Sequence, residues 1–190
     1  MYDTTKPYTK KILELICQTW ETPYVSVKGG IVKKKFSYFE NSSTDGIGTK
    51  GNYHWQQKSF RNAILDALAM NLNDLLLKRA RAYGVHDHII IPEDNHNAII
   101  EIVENLSEEC KKRDIAILSG ETAIHNDMSG LEISVSLDGF VKKPKPNLFL
   151  PENILVGIKS NGLHSNGFTK VREVFGDEFR KEFTEPTLIY

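Results

Sequence analysis

One short segment of the chain combines several residue types that bind phosphate and metal ions. It reads Ser43-Thr-Asp-Gly-Ile-Gly-Thr-Lys50 and follows a strand-like stretch. Glycine lets backbone N–H groups come close to an anion, Asp45 offers a carboxylate to a divalent cation, and Lys50 offers a positive charge to phosphate. An ordinary turn with an Asp and a Gly has a similar composition. Alone, this signature segment is suggestive of nucleotide chemistry and no more.

The signature segment is not a P-loop of the Walker A type. That motif requires G-x-x-x-x-G-K-[ST]. Here only Ile47 separates the two glycines, and Thr49 precedes Lys50. We therefore do not expect a P-loop fold.

Three further segments follow in order. They read Asp66-Ala-Leu-Ala-Met-Asn-Leu-Asn-Asp74, Leu118-Ser-Gly-Glu-Thr-Ala123 and Ser160-Asn-Gly-Leu-His-Ser-Asn-Gly-Phe168. Together with the signature segment they resemble the blocks D-G-V-G-T-K, D-L-V-A-M-x-x-N-D, G-G-E-T-A and G-x-H-S-N-G of aminoimidazole ribonucleotide synthetase, the phosphoribosylformylglycinamidine cyclo-ligase family of purine biosynthesis. Selenophosphate synthetase, thiamine-phosphate kinase and formylglycinamide ribonucleotide amidotransferase share the first blocks. The motif His164-Ser-Asn-Gly167 favours the purine enzymes.

The resemblance implies an enzyme that uses ATP to close the imidazole ring of formylglycinamidine ribonucleotide. In the family reaction ATP activates the formyl oxygen as a phosphoryl ester, the amidine nitrogen attacks, and ADP and phosphate leave. The implied cofactors are ATP and Mg²⁺, with the metal held by Asp45, Asp74 and Glu121. The residues implied to contact the nucleotide are Asp45, Gly46, Gly48, Thr49, Lys50, Asp66, Asn73, Gly120 and Glu121. His164 and Asn166 are implied on the substrate side, through hydrogen bonding or proton transfer.

The spacing of Asp66 and Asn73 gives an independent prediction. Seven residues along a helix bring two side chains to within about 20° of each other, so both point the same way. A solvated polar stripe would explain them, but apolar neighbours crowd this helix, and buried Asp and Asn need partners such as a magnesium–phosphate cluster. The corresponding alternatives are a surface turn for Glu121 and a structural or helix-capping role for His164.

Length and composition restrict the class of protein only broadly. A chain of 190 residues holds one domain with a core, or one domain and a piece of another. The net charge of −1 gives no reason to expect nucleic acid or an anionic membrane surface as partner. Cys17 and Cys110 fit no metal or redox pattern and are expected to be reduced, buried thiols. Without an apolar span or a hydrophobic signal core, a cytoplasmic protein is expected.

Hydrophobic periodicity predicts helices and strands in alternation. Helices are predicted at Tyr8–Trp20, Phe60–Tyr83, Asn97–Arg113 and Thr169–Phe175, and strands at Ile31–Asn41, His88–Ile91, Ile115–Leu118, Leu131–Val141 and Ile154–Ile158. Glu121 would then follow the carboxyl end of a strand, where α/β sheets commonly bind ligands. The predicted fold class is α+β, a small mixed sheet backed by helices. The resemblance implies that two subunits pair these sheets into a closed β-barrel.

Three prolines in Lys142–Pro151 suggest a domain boundary. We expect an ATP-binding and dimerisation domain at 1–151 and the start of an incomplete second domain at 152–190. The sequence ends at Glu185–Tyr190, where members of the family continue, so either the chain is truncated or the other half is a separate polypeptide. A homodimer is expected, paired through apolar residues of Phe36–Phe39, Ile89–Ile91 and Leu131–Val135. The other expected partner is a small ribonucleotide.

Two segments depart from the family pattern. The family's glycine-rich G-G-F-G loop is reduced to Lys28-Gly-Gly30, and in place of the usual Gly-Ala-Glu-Pro turn the chain reads Arg79-Ala-Arg-Ala-Tyr-Gly84. Ser119 also replaces the first Gly of the third block. These departures leave two alternatives open. One is another kinase or synthetase of the superfamily, acting on thiamine phosphate or selenide, although no reactive Cys near the amino terminus supports selenide. The other is a non-catalytic paralogue that binds nucleotide or only dimerises.

Overall fold

The computed structural model describes residues 5–176 and 178–190. Residues 1–4, which belong to the predicted first domain, and residue 177 lie outside this range. The elements in chain order are α1 (Thr9–Cys17), β1 (Val25–Lys28), β2 (Ile31–Lys34), β3 (Phe39–Gly46), α2 (Gly51–Gln57), α3 (Phe60–Leu77), β4 (Arg81–Ile91), α4 (His96–Lys111), β5 (Ala116–Ile124), β6 (Glu132–Val141) and α5 (Phe168–Phe175), with short 3-10 turns at Gly48–Lys50 and Lys181–Thr184. The predicted α+β class with a small mixed sheet is confirmed.

The main sheet has four strands in the order β3-β6-β4-β5. Strands β4 and β5 are parallel, and the other two pairings are antiparallel. Strands β1 and β2 form a separate two-stranded hairpin. The two edge strands of the main sheet are therefore β3, which carries the signature segment, and β5, which carries the third block.

Helices α3 and α4 cover one face of the main sheet and form the core with it. Alternate strand residues point to this face, among them Val85, Ile89, Ile133, Val135 and Leu137, and all five are buried. Each such side chain contributes about 1.5–3 kcal/mol when it leaves water. Helix α1 packs outside α4, where Ser107 donates a hydrogen bond to the Leu15 carbonyl. This core fixes the sheet edge on which the signature segment lies.

Helix α3 ends earlier than its composition predicts. It stops at Leu77, because Arg79 adopts the left-handed conformation with φ 57°. The amide of Ala80 then bonds to the Leu75 carbonyl at 2.9 Å, which closes the helix end. The predicted helix Phe60–Tyr83 was therefore wrong at its carboxyl end, and Tyr83 with Gly84 lies in β4. The sequence contains no Gly or Pro that would predict the end of the helix here, because Arg79 takes the left-handed position that glycine usually occupies.

Several other boundaries differ from the prediction. Strand β3 continues through the signature residues to Gly46, and β5 continues to Ile124, so that Glu121 lies within a strand and does not follow its end. The predicted strand Ile154–Ile158 was wrong: this segment is irregular, and the side chains of Ile154 and Leu155 are 86% and 93% exposed. Helices α1, α4 and α5 and strand β6 were predicted close to their observed bounds, whereas β1 and α2 were not predicted.

The second face of the main sheet is largely polar. Thr44 and Ser136 share a hydrogen bond of 2.7 Å there, and His86 contacts Ser119 at 2.7 Å and Asp138 at 3.2 Å. The apolar residues expected to pair two subunits, in Ile89–Ile91 and Leu131–Val135, instead lie mainly in the chain's own core. That part of the dimer argument was wrong, because register assigns these side chains to the helix-covered face.

The β1–β2 hairpin covers one end of this polar face. Tyr24 and Phe36 pack there against Phe140, with ring centroids 5.2 and 4.4 Å apart. The Trp20 indole donates to the Ile117 carbonyl at 2.8 Å and anchors the hairpin to β5. In residues 5–176 and 178–190, no helix has both the length and the apolar character needed to cross a membrane.

Candidate functional site

The signature segment forms the end of β3 and the turn into α2. Asp45 is half-buried; its Oδ1 accepts a 2.7 Å hydrogen bond from the Gly46 amide, and its carbonyl accepts one of 3.2 Å from Asn71. A Cβ at Gly46 would lie 2.6 Å from the Ser134 hydroxyl, and Gly48 has φ 54°. Glycine is therefore required at the first position by close packing and favoured at the second by backbone conformation.

A second carboxylate lies beside this strand. The Ser43 hydroxyl approaches Asp74 Oδ2 at 3.4 Å, and Ser43 shares a strand face with Asp45 because the two are two residues apart. Asn71 lies three residues before Asp74 and is fully buried, and its Oδ1 has no hydrogen-bond partner in the ranges that the structure describes. Asn71 was not predicted as a site residue, although it lies in the same block as Asn73. Asp45, Asn71 and Asp74 thus line one side of β3.

Lys50, at the end of the signature segment, is completely buried. Its ammonium lies 2.9 Å from Asp66 Oδ2 and donates to the carbonyls of Leu163 and Glu185 at 3.0 and 2.6 Å. Three acceptors match the three protons of an ammonium group. In this arrangement Lys50 joins the signature segment to the carboxyl-terminal part of the chain, and its assignment to phosphate stays a prediction.

Asp66 is the centre of this buried network. Its Oδ2 contacts His54 Nε2 at 2.8 Å, and its Oδ1 accepts two 2.7 Å hydrogen bonds from the Thr187 amide and hydroxyl. Burial alone would raise the pKa of Asp66, but the hydrogen bonds from His54 and Thr187 and the charge of Lys50 outweigh burial and lower that pKa. Sequence reasoning missed His54 and Thr187, whose contact with Asp66 depends on the folded chain.

The segment 184–190 runs along α3. The side chain of Asn62 donates to the Thr184 carbonyl at 2.8 Å, and that of Asn73 donates to the Leu188 carbonyl at 2.8 Å and accepts from the Tyr190 amide at 3.1 Å. Asp66 and Asn73 therefore do point the same way, as their spacing predicts. Their observed partners are backbone groups of this segment.

Gly120 and Glu121 lie apart from the signature segment. In the register of the sheet, Glu121 of β5 lies opposite His88 of β4, and His88 lies opposite Ser134 of β6. Ser134 in turn lies opposite Gly46 of β3. Three strand spacings of about 4.8 Å therefore separate Glu121 from β3. Among the described residues, no three His, Cys, Asp or Glu side chains are grouped as a metal site. The metal assignment of Asp45, Asp74 and Glu121 stays a prediction, and within one subunit Glu121 lies three strands away from Asp45.

The His164 segment reaches the signature region through the backbone. The carbonyl of the preceding residue, Leu163, is one of the acceptors of Lys50. His164 itself is half-buried, with Nε2 3.0 Å from the Ser160 hydroxyl, and Asn166 is exposed. The structure thus brings the fourth block close to the first, as a shared site requires, and leaves the roles of His164 and Asn166 as predictions.

Comparison with known proteins places these features among relatives. The family model described as AIR synthase related protein, N-terminal domain, matches residues 40–141. A phosphoribosylformylglycinamidine cyclo-ligase of Saccharolobus solfataricus is 32% identical over 155 residues, covering 77% of this chain and 48% of that protein. The chain spans about half the length of the curated relatives it matches.

Two solved structures share the fold. The thiamine-monophosphate kinase from Stenotrophomonas maltophilia has a TM-score of 0.56 at 19% identity, over 69% of this chain and 42% of its own. The hydrogenase maturation protein HypE in complex with ATP has a TM-score of 0.54 at 13% identity, over 73% of this chain and 41% of its own. At these identities the likeness concerns the fold alone.

Proposed function

Because the chain belongs to the AIR synthase related family, through its N-terminal domain, we propose that it is the amino-terminal part of an ATP-dependent cyclo-ligase. The proposed reaction is the closure of formylglycinamidine ribonucleotide to aminoimidazole ribonucleotide. The observation that carries the proposal is the placement of two carboxylates along β3: Asp45 directly precedes the glycine turn, and Asp74 lies 3.4 Å from the hydroxyl of Ser43, two residues before Asp45. The identity of about a third to cyclo-ligases supports the same substrate.

The residues along β3 fit a nucleotide with its magnesium ion. Asp45 and Asp74 supply carboxylate oxygens, the ligands that Mg²⁺ prefers, and the unpaired Asn71 oxygen is a further acceptor for a metal-bound water. Bound ATP would supply the phosphoryl group that activates the formyl oxygen. The protein's part is to hold the reacting groups in line and to balance their negative charge. Thr49, half-buried in the turn, is proposed near the phosphates.

A complete active site needs a second wall. The cyclo-ligase relatives are about twice as long as the matched region. In this chain the apolar side chains of Ile154–Ile158 are exposed, and they would be buried if the segment became a strand in the sheet of a second domain. We propose that the remaining half, in the same or a separate polypeptide, packs on this run and completes the substrate side with His164 and Asn166. A site that lacks one wall loses both positioning and exclusion of water.

Calorimetry with ATP tests the nucleotide site. ATP should bind in the presence of Mg²⁺ and lose its affinity with EDTA. Asp45→Asn and Asp74→Asn should each weaken Mg-dependent binding, since each removes one negative charge from the cation site at constant size. The exposed Asp127→Asn is the matched control and should bind as the parent does. Equal affinity with and without EDTA would contradict the proposed site.

Activity assays test the substrate. The isolated chain should not turn over formylglycinamidine ribonucleotide, and addition of the missing half should restore release of ADP. Thiamine phosphate in the same assay distinguishes a kinase of the superfamily. A chain that binds ATP but, once completed, turns over neither substrate would support a non-catalytic paralogue.

We also propose a homodimer through the polar face of the main sheet. This face includes Thr44 next to the signature turn, so dimerisation and nucleotide binding should be coupled. Ser136→Arg, in the middle of the face, should give a monomer by light scattering and should weaken ATP binding. Ser129→Arg, in an exposed turn, is the control. A parent chain that is monomeric at micromolar concentration and still binds ATP would refute the shared interface.

A further inference from the structure

A pocket lies at the end of the sheet opposite the signature turn. It has a volume of about 300 Å³, and its lining residues are Tyr24, Arg79, Arg81, Phe140, Lys142 and Lys143. The strand pair β3–β6 runs from Phe39 beside Val141 at this end to Gly46 beside Ser134 at the other. Seven residue steps of about 3.4 Å place the two ends about 24 Å apart. This basic pocket is therefore separate from the proposed nucleotide site.

Three parts of the chain converge to build the basic pocket. Arg81 begins β4 and pairs in register with Phe140, near the end of β6. Lys142 and Lys143 directly follow the last residue of β6, and Arg79 lies in the connection from α3 to β4. Sheet pairing thus collects four cationic side chains at one place in a chain whose net charge is −1.

Most of this charge is not neutralised by the protein. Arg81 has one acidic neighbour, Asp114, at 3.6 Å, and also donates to the Arg113 carbonyl at 3.2 Å. Within residues 5–176 and 178–190, Arg79, Lys142 and Lys143 form no ion pair, and no carboxylate lines the pocket. Grouped like charges repel each other, and an anion of several charges would relieve this repulsion.

The backbone at Arg79 is a second, independent observation. Its φ of 57° is a conformation that costs a residue with a Cβ about 1–2 kcal/mol. Glycine or asparagine usually occupies this place at the end of a helix. The segment is also where the chain departs from the family's Gly-Ala-Glu-Pro turn. The same left-handed conformation occurs at Lys58 and Asp114, after α2 and α4; at Arg79 it ends α3 and brings a guanidinium to the lining of the pocket.

The walls of the pocket are rigid and partly apolar. The ring of Phe140 is buried and meets that of Tyr24 edge to face, with 5.2 Å between centroids. The Arg81 guanidinium lies over the Tyr24 ring at 5.5 Å, which limits its freedom. The contacts of Arg81 with Arg113 and Asp114 both use Nη2, so its other N–H groups can donate to phosphate oxygens.

We propose that the basic pocket binds a small polyphosphate anion, either free or as the phosphate chain of a nucleotide. A volume near the lower end of the range for ligand sites suits a triphosphate. The site lies outside the reaction proposed above and does not depend on it. Its occupation would stabilise the junction of α3, β4 and β6.

Titration with inorganic tripolyphosphate, without Mg²⁺ and at low salt, tests the proposal. The variant Arg79→Gly/Lys142→Gln/Lys143→Gln removes three charges, and its glycine tolerates the left-handed backbone, so the fold is retained. We expect at least tenfold weaker binding. The control Lys11→Gln/Lys159→Gln/Lys181→Gln removes three charges from exposed positions elsewhere and should change affinity less than twofold.

The source of the phosphate is distinguished by competition. If the ligand is a nucleotide, ATP should displace tripolyphosphate and bind more tightly, and Asp45→Asn should not affect that displacement. If the ligand is free polyphosphate, ATP should bind the pocket no more tightly than tripolyphosphate does. Equal affinity of the charge-removing variant and its control, or no binding at millimolar tripolyphosphate, would overturn the proposal. A single-stranded oligonucleotide that binds this pocket more tightly than either would overturn the assignment to a small anion.

Discussion

The buried network around Asp66 should make the fold sensitive to the loss of any one of its partners. At 2.9 Å and an effective dielectric constant near 20, the attraction between Lys50 and Asp66 is about 6 kcal/mol before desolvation is subtracted. Replacing one partner leaves the other buried and uncompensated, which typically costs about 3–5 kcal/mol. We therefore expect Asp66→Asn to lower the free energy of unfolding by about 4 kcal/mol.

Two further variants separate the contributions. Thr187→Val removes one hydrogen bond to a charged oxygen at nearly constant volume and should cost about 1.5–3 kcal/mol. Lys50→Met combined with Asp66→Asn removes both charges, so the double variant should lose less than the sum of the single losses, by about 0.5–3 kcal/mol. Glu173→Gln, from the exposed pair with Lys170, is the control and should cost under about 0.5 kcal/mol.

Urea unfolding at neutral pH, followed by circular dichroism, measures each loss, and Thr187→Val remains measurable if Asp66→Asn leaves too little folded protein. The reasoning is refuted if Asp66→Asn costs no more than the control, or if the losses of unfolding free energy from removing the two charges are additive.

The pH dependence of stability gives a second check. Because the folded pKa of Asp66 is lowered below its ordinary 3.8, its contribution is present above that pH and is lost as the pH falls through the folded value. The parent should lose this part of its stability in acid, and Asp66→Asn should not.

Three other predictions concern single positions. Gly51→Ala should prevent normal folding, since its Cβ would lie 1.8 Å from the carbonyl oxygen of Leu131. A Cβ at Gly48 meets no atom within 4 Å, so Gly48→Ala should cost only about 1–2 kcal/mol, through the φ of 54° at that position. Expression yield and thermal unfolding compare the two variants. Glu109→Gln should lower the free energy of unfolding by about 1–2 kcal/mol, because this nearly buried carboxylate contacts three cationic side chains at 2.6–3.0 Å, two of which are more than half exposed and screened by water. An unchanged urea midpoint would contradict this expectation. Burial raises the pKa of the Cys110 thiol, whereas Cys17 is exposed, so the expectation of two buried thiols was wrong for Cys17. A thiol reagent should therefore modify one cysteine in the native chain and both only after unfolding; rapid reaction of both would contradict the buried site.

The sequence by itself determined those features that depend on local spacing. The seven-residue spacing of Asp66 and Asn73 correctly placed both on one face of α3, because helix geometry is the same wherever a helix forms. The periodic apolar residues of α4 and the alternation in β6 were correctly predicted for the same reason. The four ordered blocks together were sufficient to identify the family, since such blocks reflect ancestry and do not depend on the details of packing.

Only the tertiary structure decided which groups meet. The carbonyl partners of Lys50 come from 113 and 135 residues further along the chain, and no local pattern encodes such contacts. Glu121 was expected near Asp45, but strand order assigns the two residues to opposite edges of the sheet. The end of α3 depended on a left-handed Arg79 that costs energy locally and is held by the surrounding fold. The run Ile154–Ile158 has the composition of a strand, yet a strand forms only where neighbouring strands satisfy its backbone hydrogen bonds, and the described chain supplies none at that place.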